Sequence, residues 1–286
     1  MTSALQQTII TLVKSAITGE RYDLPNDYSL SEVFSVAKRH QIMSLVYHGA
    51  LNCGIEGNSE EMQQSFMTVC SIVSRSENQL YEISRIMSAF EENDIDFMPL
   101  KGILLKKLYP NADMRIMGDA DVLIKTEQYD KIKPIMLQLG FSEKVESDHE
   151  LVWRNKGLMI ELHKRLIPSY NKDYYEYFGD GWRLARLKEN SAHLFEMSKE
   201  DNYIYLFTHF SKHYRDAGIG VRHLVDLWVY RRAYDLDESY LKEELTKLSL
   251  YEFYVNIIKT ISVWFENGTH DETTDFITEF IFTSAA

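Results

Sequence analysis

Apolar positions divide the chain into stretches of different period. Up to about residue 90 they recur at helical spacing. Leu5, Ile9, Leu12, Val13 and Ile17 trace one stripe. A second predicted helix, Ser31 to Leu51, opens on a capping-box-like Ser31-Glu32-Val33-Phe34 and carries Val33, Val36, Ala37 and Ile42. A third runs from about Glu60 to Glu92 without Gly or Pro, with Phe66, Val69, Cys70, Val73, Leu80, Ile83, Ile86, Met87 and Phe90 on its apolar side. Three helices packed through such stripes are expected, with no chemistry among them.

The period changes near Asn93. Ile95 to Leu100 reads as a short strand, and Ile103 to Tyr109 as a helix stopped by Pro110. Asp119 to Ile124 reads as a strand. Thr126 to Leu139 reads as a helix with Thr126 as N-cap and Gly140 as its stop. Two strands follow, Glu150 to Arg154 and Leu158 to Leu166, joined by the hairpin signal Asn155-Lys156-Gly157. From about Tyr174 the pattern is helical again, over Asn202–Tyr214, Val221–Tyr234 and Ser239–Glu266. The last residues, Phe276 to Ala286, stop in an apolar run that is either a docked helix or a truncation.

Composition narrows the classes. The 286 residues are 45% hydrophobic and 26% charged, ordinary globular values. Cys53 and Cys70 are the only cysteines and form no CxxC pair, so a disulfide scaffold and a Cys-based zinc finger are excluded. The N-terminus lacks the basic start of a signal peptide. No stretch approaches the roughly 18 uncharged apolar residues of a membrane span. A net charge of −12 disfavours extended nucleic-acid binding. A cytoplasmic protein without a membrane partner is expected.

The candidate chemistry lies between Pro99 and His163. On a strand, Asp119 and Asp121 point to one face while Ala120, Val122 and Ile124 point to the other. Two carboxylates so placed repel unless a cation lies between them, and Mg²⁺ suits carboxylate oxygens joined by substrate phosphates. In Leu158 to His163, the residues Met159, Glu161 and His163 share a face. If that strand lies beside the Asp119 strand, Glu161 becomes a third carboxylate, and three carboxylates can hold two metals for an in-line phosphoryl or nucleotidyl transfer. Lys101-Gly102 stands at a strand-to-helix junction, where free N–H groups favour phosphate and Gly102 permits close approach. Lys106, Lys107 and Arg115 add local positive charge. Arg115, four residues before Asp119, is placed to reach a triphosphate.

These residues carry a resemblance. Leu100-Lys101-Gly102, then Leu108-Tyr109-Pro110, then Arg115-Ile116-Met117-Gly118-Asp119-Ala120-Asp121, then Glu161-Leu162-His163 resemble the bacterial uncharacterised nucleotidyltransferase family of the DNA polymerase β-like superfamily. Thr208-His209 and Arg222 to Leu227 resemble that family's helical C-terminal part. The resemblance implies an α+β fold, a small mixed-sheet nucleotidyltransferase core flanked by helical regions. The division is 1–92 N-terminal helices, 93–170 core and 171–286 C-terminal helices. It implies Asp119, Asp121 and Glu161 as catalytic metal ligands for Mg²⁺ (or Mn²⁺). Lys101, Gly102, Arg115, Gly118 and His209 are the nucleotide-binding candidates. The implied reaction moves a nucleoside monophosphate from a triphosphate to an acceptor hydroxyl on a small molecule, a protein or an RNA end. The alternative is an inactive copy of the fold that binds a nucleotide or a protein. Two features depart from the wider superfamily: its usual Gly-Ser pair is Lys-Gly here, and the interval from Gly102 to Asp119 is longer.

Other groups have blander readings. His209 and His213 stand at zinc-like i, i+4 spacing without the glutamate of an HExxH helix. His223 and Asp226 lie one turn apart and suit a hydrogen bond. Tyr174, Tyr175, Tyr177, Phe178 and Trp182 offer either a stacking surface for a base or ordinary packing. No GxSxG, Walker A or GxGxxG run is present.

Overall fold

The computed structural model describes residues 3–284. The chain forms two compact units, each discontinuous in sequence. The first contains the chain up to Val73, Lys106–Ile116 and the chain from Tyr203; the second contains Ser74–Leu105 and Met117–Asn202.

Helix α1 (Ala4–Thr18) starts in a capping box between Ser3 and Gln6 and ends at Gly19, whose φ is +75°. The single helix expected over 31–51 is two, α2 (Leu30–Arg39) and α3 (Met43–Asn52). The break falls where Gln41 takes a left-handed φ of +56°. The N-cap of α2 is Ser29, not Ser31. α1 and α3 pack closely, since a Cβ at Gly49 would lie 2.0 Å from the Leu12 carbonyl oxygen. Helix α4 (Glu60–Glu92) has the predicted bounds and passes from the first unit into the second.

The second unit holds the sheet. Strand β1 (Phe97–Pro99) turns into the short α5 (Lys101–Leu105), which tightens into a 3-10 turn over Lys106–Leu108 rather than running as a helix to Tyr109. Strand β2 (Ala120–Ile124) is followed by a 3-10 turn at Thr126–Gln128 and then α6 (Tyr129–Gln138), so Thr126 opens the turn and does not cap the helix. Strand β3 (Ser142–Glu146) was not expected; it is an edge strand with mostly exposed side chains and so lacks the half-buried alternation that marks a strand. Strands β4 (Glu150–Arg154) and β5 (Met159–His163) complete a five-stranded sheet of order β1-β2-β5-β4-β3. The β2–β5 pair is parallel and every other pair antiparallel.

Alternation divides this sheet chemically. Ala120, Val122 and Ile124 of β2, Leu151 and Trp153 of β4, and Ile160 and Leu162 of β5 join one core with Ile83, Ile86 and Phe90 of α4 and Ile132 and Met136 of α6. The intervening positions are Asp121 and Leu123 of β2 and Met159, Glu161 and His163 of β5. The helices cover one face, and the candidate chemistry lies on the other.

The rest is largely helical. α7 (Lys172–Phe178) precedes a small ladder of β6 (Arg186–Leu187) and β7 (Phe195–Glu196), and then come α8 (Lys199–Asp216) and α9 (Val221–Ala233). The helix expected over 239–266 is two, α10 (Glu238–Lys247) and α11 (Tyr251–Phe265), separated at Ser249 with φ +56°. The apolar run from Phe276 belongs to α12 (Glu272–Ser284), with Ile277, Ile281 and Phe282 buried; Ala285 and Ala286 lie outside the described residues. In the first unit, the two chain ends pack together. Gln6 Nε2 donates to Glu279 at 2.9 Å, and the Val221 N–H donates to His40 Nδ1 at 3.2 Å. Among the described residues, no helix is long and apolar enough to cross a membrane.

Candidate active site

The carboxylate surface is set by strand register. Asp121 and Glu161 are direct partners on the parallel β2 and β5, so their side chains leave the same face of adjacent strands. Asp119 stands two residues before Asp121, just outside β2. The loop carrying it is tied to α4, whose buried Gln79 Nε2 donates to the Met117 carbonyl at 3.0 Å. Gly118 is exposed, and a Cβ there would meet open space.

Lys101 enters from the opposite neighbour of β2. The Leu100 N–H donates to the Asp121 carbonyl at 2.9 Å, which docks the β1–α5 junction on β2. Lys101 then takes a left-handed φ of +39°, a conformation disfavoured for any residue with a Cβ. Its Nζ lies 2.8 Å from Asp121 Oδ1. Gly102 is buried in α5.

His163 closes the set. Its Nε2 lies 2.9 Å from the same Asp121 oxygen and 3.6 Å from Glu161 Oε2. Its Nδ1 lies 3.3 Å from His149 Nε2. Asp121, Glu161 and His163 thus place one ligand atom each within 4.8 Å of one another, a donor set able to hold a metal ion.

Electrostatics separates the two buried carboxylates. Burial alone would raise the Asp121 carboxyl, but the Lys101 ammonium and the His163 ring hold it well below the usual carboxylate range. Glu161 goes the other way: burial, then the charges of Asp119, Glu150 and Asp121, push it up to about 7, with Lys101 opposing. The surface carries more negative charge than its own side chains compensate. An excess of this kind favours a divalent cation, so the residues fit one.

Other predicted residues belong to the first unit. Arg115 is buried in the first unit, with Nη2 2.9 Å and Nε 3.2 Å from the two Asp226 oxygens. Tyr109 donates to the same carboxylate at 2.7 Å. Lys106 is buried and donates to the Ala112 and Arg115 carbonyls at 2.7 and 2.8 Å. His209 lies on α8, its ring 4.4 Å from that of His213. Asp226 is therefore held by Arg115 and Tyr109. Sequence reasoning gave no role to His163, His149 or Glu150. For His163 the signal was present, because it follows Glu161 by two residues on one strand. For His149 and Glu150 it was not, because only the β4–β5 pairing sets Glu150 opposite His163.

Comparison with known proteins decides the family. The profile of the uncharacterised nucleotidyltransferase family matches residues 27–266. The chain belongs to this family. No curated protein matches it. Among solved structures, the solution structure of the antibiotic-resistance factor ANT(2'')-Ia is similar with a TM-score of 0.44 and 12% identity, over 64% of this chain and 96% of that one. The crystal structure of ANT(2'')-Ia in complex with adenylyl-2''-tobramycin gives 0.42 and 11%, over 60% and 96%.

Proposed function

We propose that this nucleotidyltransferase-family protein transfers a nucleoside monophosphate from a nucleoside triphosphate to an acceptor hydroxyl and releases pyrophosphate. The acceptor is a small molecule, a protein or an RNA end. The observation that carries this reading is the register of Asp121 and Glu161 on adjacent parallel strands, with Asp119 two residues upstream.

Asp119, Asp121 and Glu161 would hold two Mg²⁺ (or Mn²⁺) ions, whose chemistry would be neutralisation of the triphosphate and polarisation of its α-phosphoryl group. The acceptor oxygen bonds to the α-phosphorus as the bond to the β-phosphate oxygen breaks, and pyrophosphate carries off that electron pair. Glu161 either holds the nucleophile-side cation or takes the proton of the acceptor hydroxyl. Lys101 and Gly102 meet the phosphates at the β1–α5 junction. Gly118 has neither a left-handed φ nor a close neighbour to require glycine; close approach of a phosphate to its backbone accounts for it. Arg115 enters as a nucleotide-binding candidate through the family resemblance, with its side chain paired to Asp226. For His209, the support is the family resemblance.

A thermal-shift panel tests the reading. ATP, GTP, CTP and UTP are each added with Mg²⁺ or Mn²⁺ to the wild type and to an Asp119→Ala/Asp121→Ala variant. A ligand at 100 times its Kd stabilises by about 2.7 kcal/mol. The expected result is a cation-dependent shift with at least one triphosphate that the variant lacks. A folded wild type that shifts with none of them overturns the proposal.

A further inference from the structure

Beside the carboxylates is a second group of donors with a different chemistry. His149 precedes β4 and Glu150 begins it, and Glu150 pairs directly with His163 at the end of β5. The turn is firmly built. The N–H groups of His149 and Glu150 donate to Ser147 Oγ at 3.2 and 3.0 Å, and the Lys164 N–H donates to the His149 carbonyl at 2.8 Å. Three side chains therefore converge from one hairpin end. His163 Nδ1 lies 3.3 Å from His149 Nε2, and Glu150 Oε2 lies 3.7 Å from His149 Nε2 and 3.9 Å from His163 Nδ1.

We propose that His149 Nε2, His163 Nδ1 and a Glu150 carboxylate oxygen form a site for a transition-metal dication of the Zn²⁺ class, separate from the Asp119/Asp121/Glu161 surface. Two observations point to a cation there. The first is separation: zinc–nitrogen bonds of about 2.0–2.1 Å place two ligands of a tetrahedron roughly 3.3–3.4 Å apart, the separation of the two imidazole nitrogens. The carboxylate stands a few tenths of an ångström farther out. The second is orientation. His163 Nε2 faces Asp121 Oδ1 at 2.9 Å, and the ring thereby turns its Nδ1 toward the His149–Glu150 corner. A carboxylate accepting the far N–H of an imidazole is the usual support of a metal-bound histidine. Two imidazoles and one carboxylate match the preference of Zn²⁺, Co²⁺ or Ni²⁺, whereas Mg²⁺ prefers oxygen throughout. Three protein ligands leave a fourth position for water.

Through its two nitrogens, the His163 ring joins the sites. A cation on Nδ1 fixes the ring, and the ring fixes Asp121. The site does not rest on the transferase reading, because a chain that transfers nothing would still bind the ion.

Titration with Co²⁺ in excess Mg²⁺, followed by its ligand-field absorption and by Zn²⁺ competition against a chromophoric chelator, tests the proposal. One equivalent is expected, with nitrogen-ligand bands that Zn²⁺ abolishes. His149→Ala and Glu150→Gln should each weaken binding by about 10- to 100-fold with unchanged circular dichroism, while Asp119→Ala binds like the wild type. Folded wild type that takes up neither ion overturns the site. So does binding that survives both His149→Ala and Glu150→Gln but is lost in Asp119→Ala, which would put the ion on the carboxylates.

Discussion

The Lys101 ammonium lies 2.8 Å from the Asp121 carboxylate, and Lys101 adopts a left-handed backbone to put it there. The pair places a positive charge where the carboxylate surface would hold a metal. Removing one partner of a buried ion pair costs about 3–5 kcal/mol, because the other charge is left uncompensated. Lys101→Met should therefore lower stability by an amount of that order in metal-free buffer. In Mg²⁺ the deficit should shrink, since the cation replaces the missing charge. Urea unfolding of both proteins with and without Mg²⁺ reads it; an equal deficit in both buffers would count against cation binding at Asp121.

Glu161 predicts a conflict between stability and activity. Its carboxyl is near 7 in the folded chain against an ordinary 4.5. A raised carboxyl gives stability that is full below about 4.5 and lost as pH rises through 7. Glu161→Gln removes that loss. In metal-free buffer the variant should match the wild type at low pH and exceed it by about 1–3 kcal/mol at pH 8, while transferring nothing. Denaturant midpoints at several pH values check this; a variant less stable than wild type at pH 8 would refute it.

Arg115 and Asp226 form a buried ion pair that Tyr109 completes. Arg115→Met should destabilise by about 3–5 kcal/mol, leaving a buried carboxylate without its cation. Arg115→Met/Asp226→Leu should cost clearly less than the two single changes together. Additive losses in that double-mutant cycle would mean the two side chains do not act as a pair.

His40 makes the first unit sensitive to acid. Burial and the nearby Arg39 charge lower its imidazole from 6.5 to about 4, so the folded chain keeps it neutral. Its stabilising contribution is full above about pH 6.5 and falls as pH drops toward 4, by roughly 2–3 kcal/mol. His40→Asn keeps an acceptor for the Val221 N–H without the titration. The variant should lose less stability than the wild type between pH 6.5 and 4; parallel losses by calorimetry would rule out His40 as the cause.

Much of this arrangement is legible in the sequence, and the omissions have physical reasons. The carboxylate face followed from alternation over Asp119–Ile124 and Leu158–His163, because a strand with one face in the core must alternate. The breaks at Gln41 and Ser249 were missed because neither residue is Gly or Pro; each is the left-handed residue of a local helix end, where the Ile42 N–H donates to the Ala37 carbonyl and the Leu250 N–H to the Leu245 carbonyl. Strand β3 was missed because its side chains are mostly exposed and carry no core pattern. The commitment of Arg115 to Asp226 joins residues 111 positions apart, a pairing that no local spacing encodes. His149 and Glu150 became visible only through hairpin register.

The interleaving of the two units has a consequence for synthesis. Every residue of the sheet-bearing unit precedes Tyr203, so it has all its strands once that point leaves the ribosome. The first unit does not: α1 to α3 pack with helices that begin at or after Lys199, through contacts such as Gln6–Glu279 and His40–Val221. The earliest helices made can pack on one another, as α1 does on α3, but part of their surface waits for helices made at the end of synthesis, and that surface is where a chaperone would act on the growing chain.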